Sequence, residues 1–331
     1  MGHGGGGRLS SDLIRHLFAP AFGSVPTTDS AVLDPAAFGL TGGRLALTTD
    51  SYVVRPRFFP GGNVGDLAVN GTVNDLATSG AIPLALSAAF VLEEGMPLDE
   101  LAAVAATMRA AADVAEVSIV TGDTKVVDAG HGDGFYVTTA GIGVVPAGVD
   151  LGPHKVTDGC SIIVSGDIGR HGIAVMSVRE GLTFGADIES DTAAVTPLAQ
   201  ALLAAGIDVR MYRDPTRGGL AATVTEIASA ANIGVQLDDR AIPVSDPVRA
   251  ACGFLGLDPL YVANEGRLVA FVATSDVDQA LEIWRSLDLG AGATVVGHTV
   301  PEHPGVVTAR TPIGGTRVVD LPLTEPLPRI C

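Results

Sequence analysis

The sequence predicts a mixed α/β chain of the α+β kind, arranged as two domains of ordinary size, and three observations lead to that prediction. Short apolar runs alternate along the chain with stretches in which small apolar residues recur every three to four positions, the marks of strand and helix in turn. A Pro- and Gly-rich stretch, PAGVDLGPHKVTDG at 146–159, breaks this alternation near the middle. A length of 331 residues with 42 glycines suffices for two cores in which backbones approach closely.

The elements follow in order. Ser11 can cap a short helix that puts Leu13, Leu17 and Phe18 on one face. Leu45–Val54 reads as a buried strand interrupted by the polar TTDS. GGNVGDLAVNGTVNDLATSG, 61–80, is a helix of small residues in which Val64, Leu67, Ala68, Gly71 and Leu76 recur at helical spacing. Leu84–Glu93 is a strand, and Asp99–Ala115 a helix with Leu101, Ala105 and Met108 in phase. Glu116–Thr121 and Phe135–Val145 are strands that complete a first domain over 1–150. The second domain, 151–311, has strands at Cys160–Ser165, Ile233–Leu237, Leu268–Thr274 and Thr294–Thr299. Its helices fall at Ile173–Arg179, Thr192–Ala205, Gly218–Ala231 and Val277–Ser286. From 312 to 331 the chain carries Pro312, Pro322, Pro326 and Pro328, so a flexible, extended tail is expected there.

Charge and cysteine usage narrow the function. A net charge of −17 lacks the Lys/Arg footprint that phosphate backbones need, which argues against nucleic acid as a partner. The apolar stretch at Leu84–Leu92 is too short to span a bilayer, so no membrane role is expected. Cys160, Cys252 and Cys331 form no Cys-x-x-Cys pair, and MGHGGGGRLSSD holds no secretory apolar run. A reducing, cytoplasmic setting fits both. Cys160 and Cys252 lie in apolar contexts and are expected in the core. A cysteine on the last residue is not expected there, so Cys331 ends either an unimportant tail or a reactive arm.

Several segments carry candidate chemistry. Gly2–Gly7 matches G-x-G-x-x-G, but no strand precedes it, so the dinucleotide reading lacks its context. It is either a loose end or a flap whose backbone N–H groups close over an anion. Asp50 in LTTDSYVV, Asp75 in GTVNDLATSG and Asp123 in VTGDTKVV each stand at the edge of an apolar run beside Thr, Asn or Gly. They are strand-end turn residues, or hard oxygen ligands for Mg²⁺ with Lys125 meeting phosphate charge. RDPTRGGL, 213–220, opens a helix, where Asp214 or Thr216 can cap it and Arg217 can face an anion. His171 and Glu265, at Gly-punctuated turns, read singly as structural.

Taken together, HGGGGR, TTDSYVV, FFPGGNVGDLAVNGTVNDLA, EEGMPL, VTGDTKVV, RHGIAVMSVREGL, RDPTRGGLA, DPLYVANEG and the final PRIC recur in family order over the whole length. On these motifs the chain resembles the HypE family of hydrogenase maturation proteins, the carbamoyl dehydratases. That family lies within the superfamily of aminoimidazole ribonucleotide synthetase and selenophosphate synthetase. Asn70 stands where relatives often carry Cys. Selenophosphate synthetases use a Cys or selenocysteine near the N-terminus, and no cysteine here precedes Cys160.

The resemblance implies a two-domain synthetase whose first domain closes a β-barrel with its copy in a homodimer. It implies ATP near that interface, a carbamoyl group placed on Cys331 by HypF, and ATP-dependent dehydration of that group to S–C≡N. Cyanide would then pass to iron on a HypC–HypD complex. In this reading Asp50, Asp75 and Asp123 hold Mg²⁺ and nucleotide, with Asn74 a supporting contact. Lys125 neutralises phosphate charge, Glu265 is the general base, and His3 with Gly4–Gly7, Gly5 and Gly6 among them, forms the flap. His171 and Arg217 stand near the phosphate path. Fully extended, the 20 residues from Pro312 to Cys331 reach at most roughly 65–70 Å, enough to visit several sites. The terminal carboxylate opposes a thiolate at Cys331, and Arg329 is one candidate for a compensating cation.

Overall fold

The computed structural model describes Arg8, residues 31–33, Ala36 and residues 42–184, 187–321, 327 and 329–331. The helix expected from Ser11 and the flap formed by His3 and Gly4–Gly7 lie outside these residues. The first half runs β1 (Ala31–Leu33), β2 (Arg44–Tyr52), two short strands β3 (Phe58–Phe59) and β4 (Gly62–Asn63), and α1 (Val64–Thr78). It continues with β5 (Ile82–Glu93), α2 (Leu98–Val114), β6 (Ser118–Val127) and β7 (Phe135–Val145).

Strands β1, β2, β7, β5 and β6 make one sheet in that order, antiparallel except at the β5–β6 pair. Period-two alternation fixes its faces: Phe135, Val137 and Thr139 of β7 are buried while Thr138 and Ile142 look outward. Helices α1 and α2 cover the buried face. Helix α1 starts at a reciprocal cap. Asn63 Oδ1 accepts from the Gly65 N–H at 2.7 Å, and the Asp66 carboxylate accepts from the Asn63 N–H at 3.2 Å. The opposite face of the sheet has no such cover among the described residues. Leu47 and Ile142, paired in register, are exposed there, as are Ile82 and Leu84, and almost all of β6 is exposed. Within one chain the sheet is therefore open rather than a closed barrel, with β1 and β6 as its edges.

The second half runs β8 (Cys160–Val164), α3 (Arg170–Arg179), α4 (Thr196–Ala204), β9 (Val209–Arg213), α5 (Gly219–Ala231) and β10 (Gly234–Asp238). It ends with α6 (Asp246–Leu255), β11 (Val269–Ala273), α7 (Val277–Arg285), β12 (Thr294–Val300), β13 (Val307–Arg310) and β14 (Thr316–Val319). Its sheet has the order β14-β13-β10-β12-β8-β11-β9. Strands β8 and β11 are continuous apolar runs because both faces are covered. Ile162, Val164 and Phe271 pack under α5, while Ile163, Ala270 and Val272 pack under α4 and α7.

Part of the expected tail is not tail. Residues 316–319 pair antiparallel with β13, Val319 opposite Val307, and Pro312 sits in the hairpin turn, where a missing N–H costs nothing. The far end is not free either. Leu327, Ile330 and Cys331 are 3%, 1% and 8% exposed, inside a core cluster that joins Tyr52, Val54 and Phe59 of the first domain to Ile173, Val248 and Val262 of the second. The expectation that a terminal cysteine stays out of the core is thus overturned, because the arm docks in the seam between the domains. Cys160 and Cys252 are buried, at 2% and 1%.

Candidate active site

A cavity of about 270 Å³ opens at that seam, and Cys331 is in its wall. Strand β2 contributes Thr49 and Asp50, helix α1 Gly71 and Asp75, the end of β9 Arg213, and the turn into α5 Asp214, Thr216 and Arg217. Further along are Ala222, Thr223 and Glu226 of α5, and Glu265 from the loop before β11. Two glycine requirements shape this wall. The Tyr52 hydroxyl lies against Gly71, where a methyl group would come within 2.2 Å of it. Gly218 and Gly219 both take left-handed backbone, φ +74° and +60°, and a methyl on Gly219 would stand 2.5 Å from the Leu260 carbonyl oxygen. That tight turn brings the first turn of α5, and Arg217 just before it, to the cavity.

The carboxyls of the cavity are held in different ways. Asp75 accepts from Thr48 Oγ1 at 2.7 Å, Asp50 from the Ser51 N–H at 2.7 Å, and Glu226 pairs with Arg213 at 3.0 Å. Glu265 is 3% exposed, and its Oε1 has no hydrogen-bond partner among the described residues. Burial raises its pKa well above the usual carboxylate range, Asp214, Asp191 and Asp50 add to the rise, and Arg217 opposes it. Its backbone is fixed by Asp191, whose carboxylate accepts from the Glu265 and Gly266 N–H groups at 3.3 Å each.

The tail enters along the backbone of residues 53–55. The Val53 N–H donates to the Cys331 terminal carboxylate at 3.1 Å, and the Arg55 N–H to the Arg329 carbonyl at 3.2 Å. Arg179 of α3 adds a bond to the Arg329 carbonyl at 2.6 Å. Cys331 Sγ then faces Arg217 Nη1 at 3.6 Å. The cation beside the sulfur is therefore Arg217. Arg329 turns away to Asp133 at 2.5 Å and to the Val53 carbonyl, so it does not serve the sulfur as expected.

The expected residues divide accordingly. Asp50, Asp75, Arg217, Glu265 and Cys331 converge on one cavity, whereas Asp123 and Lys125 do not join them. They pair with each other at 2.8 Å on exposed β6. In the strand order β2-β7-β5-β6 Asp50 lies across from Thr139, Ala88 and Gly122, so three strand spacings, roughly 14 Å, separate it from the Asp123 strand. Among the described residues no three His, Cys, Asp or Glu side chains gather as a metal-ligating group, so the three-aspartate cluster is not assembled within one chain. Asn74 is not among the residues that line the cavity. Its amide donates to the Ala193 carbonyl at 2.9 Å and accepts from the Val195 N–H at 2.8 Å, bracing α1 against the second domain.

His171 is fully buried and absent from the cavity wall. It sits under the tail, with Nε2 2.8 Å from the Ile330 carbonyl and Nδ1 2.8 Å from Ser190 Oγ. Burial lowers its pKa, which favours the neutral ring. The sequence gives no signal for the roles of Asp191, Arg179 or Tyr52, since each acts through a contact distant along the chain. Arg213, however, is marked by its place in RDPTRGGL.

Comparison with known proteins bears on this arrangement. Residues 27–145 match the family described as AIR synthase related protein, N-terminal domain, and residues 157–310 the corresponding C-terminal domain. Carbamoyl dehydratase HypE of Rhizobium leguminosarum bv. viciae is 51% identical over 332 residues, covering 100% of this chain and 94% of that protein. A chain of the solved HypE–HypF complex matches at TM-score 0.87 and 41% identity, over 94% of this chain and 99% of that one. HypE solved in complex with ATP matches at TM-score 0.85 and 42% identity, over 99% of this chain and 98% of that one.

Proposed function

This chain belongs to the carbamoyl dehydratase HypE family, and from that membership we infer that it uses ATP to dehydrate a carbamoyl group borne on Cys331. The product, S–C≡N, supplies cyanide for hydrogenase maturation. The observation that carries this reading is the seating of Cys331 Sγ in one cavity with Arg217, Glu265, Asp50 and Asp75.

The reaction balances as follows. The carbamoyl oxygen takes the terminal phosphoryl group of ATP, one N–H proton leaves, and ADP departs. The C–O bond then breaks with loss of the second N–H proton, leaving the nitrile and inorganic phosphate. Phosphorylation makes a poor leaving group into a good one. Glu265 is the base for the N–H protons: it is buried, it has an oxygen without a partner among the described residues, and burial raises its pKa above that of an ordinary carboxyl, which makes it the stronger proton acceptor. Arg217 and the first turn of α5 offer positive charge to the departing phosphate. Docking of Leu327 and Ile330 keeps water from the activated carbamoyl group.

The cavity's carboxyls are Asp50, Asp75, Asp214, Glu226 and Glu265, against Arg213 and Arg217. An acidic wall of that kind repels a nucleotide triphosphate unless a cation comes with it, so the donor set fits Mg²⁺. Asp50 and Asp75 would hold it, and it would supply charge neutralisation on the phosphates. Asp123 and Lys125 would reach the nucleotide of an opposing copy, because β6 and the open face of the first sheet are where a second chain would close the barrel. A HypF carbamoyltransferase is the proposed donor, as the solved complex of the relatives suggests, and a HypC–HypD iron scaffold is the proposed acceptor. None of the described helices is long and apolar enough to cross a membrane, and we place the reaction in the cytoplasm.

Replacement of Cys331 by Ala tests this reading. The variant should accept no carbamoyl group from HypF with carbamoyl phosphate and ATP, yet bind ATP as the parent does. Normal thiocyanate formation by that variant would sink the proposal.

A further inference from the structure

Among the described residues, His171 is the one buried titratable side chain that touches the tail's backbone without lining the cavity. A carbonyl oxygen can only accept, so the proton on the ring must sit on Nε2 and point at Ile330. Nδ1 then accepts from the Ser190 hydroxyl, which itself accepts from the Thr192 N–H at 3.1 Å. Phe59 meets the ring edge-to-face at 5.3 Å and limits its rotation. With the tail docked, the ring is thereby fixed in tautomer and direction.

We propose that His171 is a positioning residue for dehydration: its imidazole latches the Ile330 carbonyl and so sets the register of Cys331 in the cavity. Two further observations support this. The residue held is the one joined directly to Cys331, so a slip there moves Sγ away from Arg217. The segment that orients the ring also orients the base, since Ser190 holds His171 while neighbouring Asp191 holds the Glu265 backbone. The backbone of Val53 and Arg55 grips the tail from the first domain, and His171 and Arg179 grip it from α3 of the second. The latch thus acts only when the domains, tail and base are assembled together. A tail visiting a carbamoyltransferase does not need it.

The inference rests on the carbamoyl dehydratase reading, but one arm of its test does not. In full-length His171→Ala, alkylation of Cys331 by iodoacetamide, followed by peptide mapping, should be about ten-fold faster than in the parent, because a buried carbonyl loses its donor. Carbamoyl loading by HypF should be unchanged, and the ATP KM likewise. The kcat for loss of water from the carbamoylated protein should fall about ten-fold or more. His171→Gln, whose amide can donate to Ile330 and accept from Ser190, should recover most of both effects. Parent-like alkylation and kcat in His171→Ala would overturn the latch, as would equal loss of loading and dehydration that Gln does not rescue. If the parent itself never dehydrates carbamoyl-Cys331, the function fails, while the alkylation arm still decides the latch.

Discussion

A carboxyl group that is 3% exposed, lacks a partner on one oxygen and faces Asp214, Asp191 and Asp50 binds its proton more tightly in the folded chain than in the unfolded one. Such a group favours folding most at low pH, and its contribution is lost as pH rises from the unfolded pKa towards the raised folded one. Glu265→Gln removes that cost. The variant is expected to melt about 2 °C or more higher at neutral pH, with no gain below pH about 4, in thermal unfolding followed by circular dichroism. The same change should slow dehydration by about 10²–10⁴ as the base is lost. In the parent, activity should fall as pH drops through the raised pKa, giving an acid limb above the ordinary carboxylate range. A variant both less stable and fully active would contradict the assignment. The base role proposed for this residue came from family resemblance alone, because its unpartnered oxygen and acidic neighbours arise from chain segments far apart in sequence.

Strand and helix positions followed closely from apolar periodicity. Phe135–Val145 falls where the alternation puts it, and the expected helix near 99–115 differs from α2 by one residue at each end. What escaped had weaker local signals. Strand β9 is VRMYR, only five residues long and carrying Arg210 and Arg213, and β14 hides among prolines. The order of strands in a sheet is not local at all, which is why Asp123 looked equivalent to Asp50 and Asp75 but lies three strands away. The open face of the first sheet carries its own expectation. Leu47 and Ile142 are 47% and 36% exposed and adjacent across β2 and β7, the kind of surface a second copy covers. The parent should sediment as a dimer and Leu47→Asp as a monomer. That variant should keep the slow alkylation of Cys331 but lose dehydration, since the opposing Asp123 and Lys125 are gone. A monomeric parent, or full activity in a monomeric variant, would count against the shared site.

Across the whole molecule, the docked tail is close to energetic balance. Burying Leu327 and Ile330 gains about 1.5–3 kcal/mol each. Five hydrogen bonds to residues 329–331 add about 1 kcal/mol apiece. Ordering the last five residues costs about 1–2 kcal/mol for each backbone. The sums, about 8–11 against about 5–10 kcal/mol, overlap to within a few kcal/mol, so the docked and released arms are close in free energy. The sequence reading of Pro312–Cys331 as a flexible arm did not anticipate the docked end, which depends on contacts from β2, α3 and α5 that no local pattern reveals. Intact-mass measurement of the parent chain, carbamoylated by HypF, isolated and then given Mg–ATP, tests the whole reading. The account predicts that the adduct on Cys331 loses one water as ADP and phosphate appear in equal amount. An adduct that persists unchanged while ATP is consumed, or that leaves as a whole carbamoyl group, would contradict it.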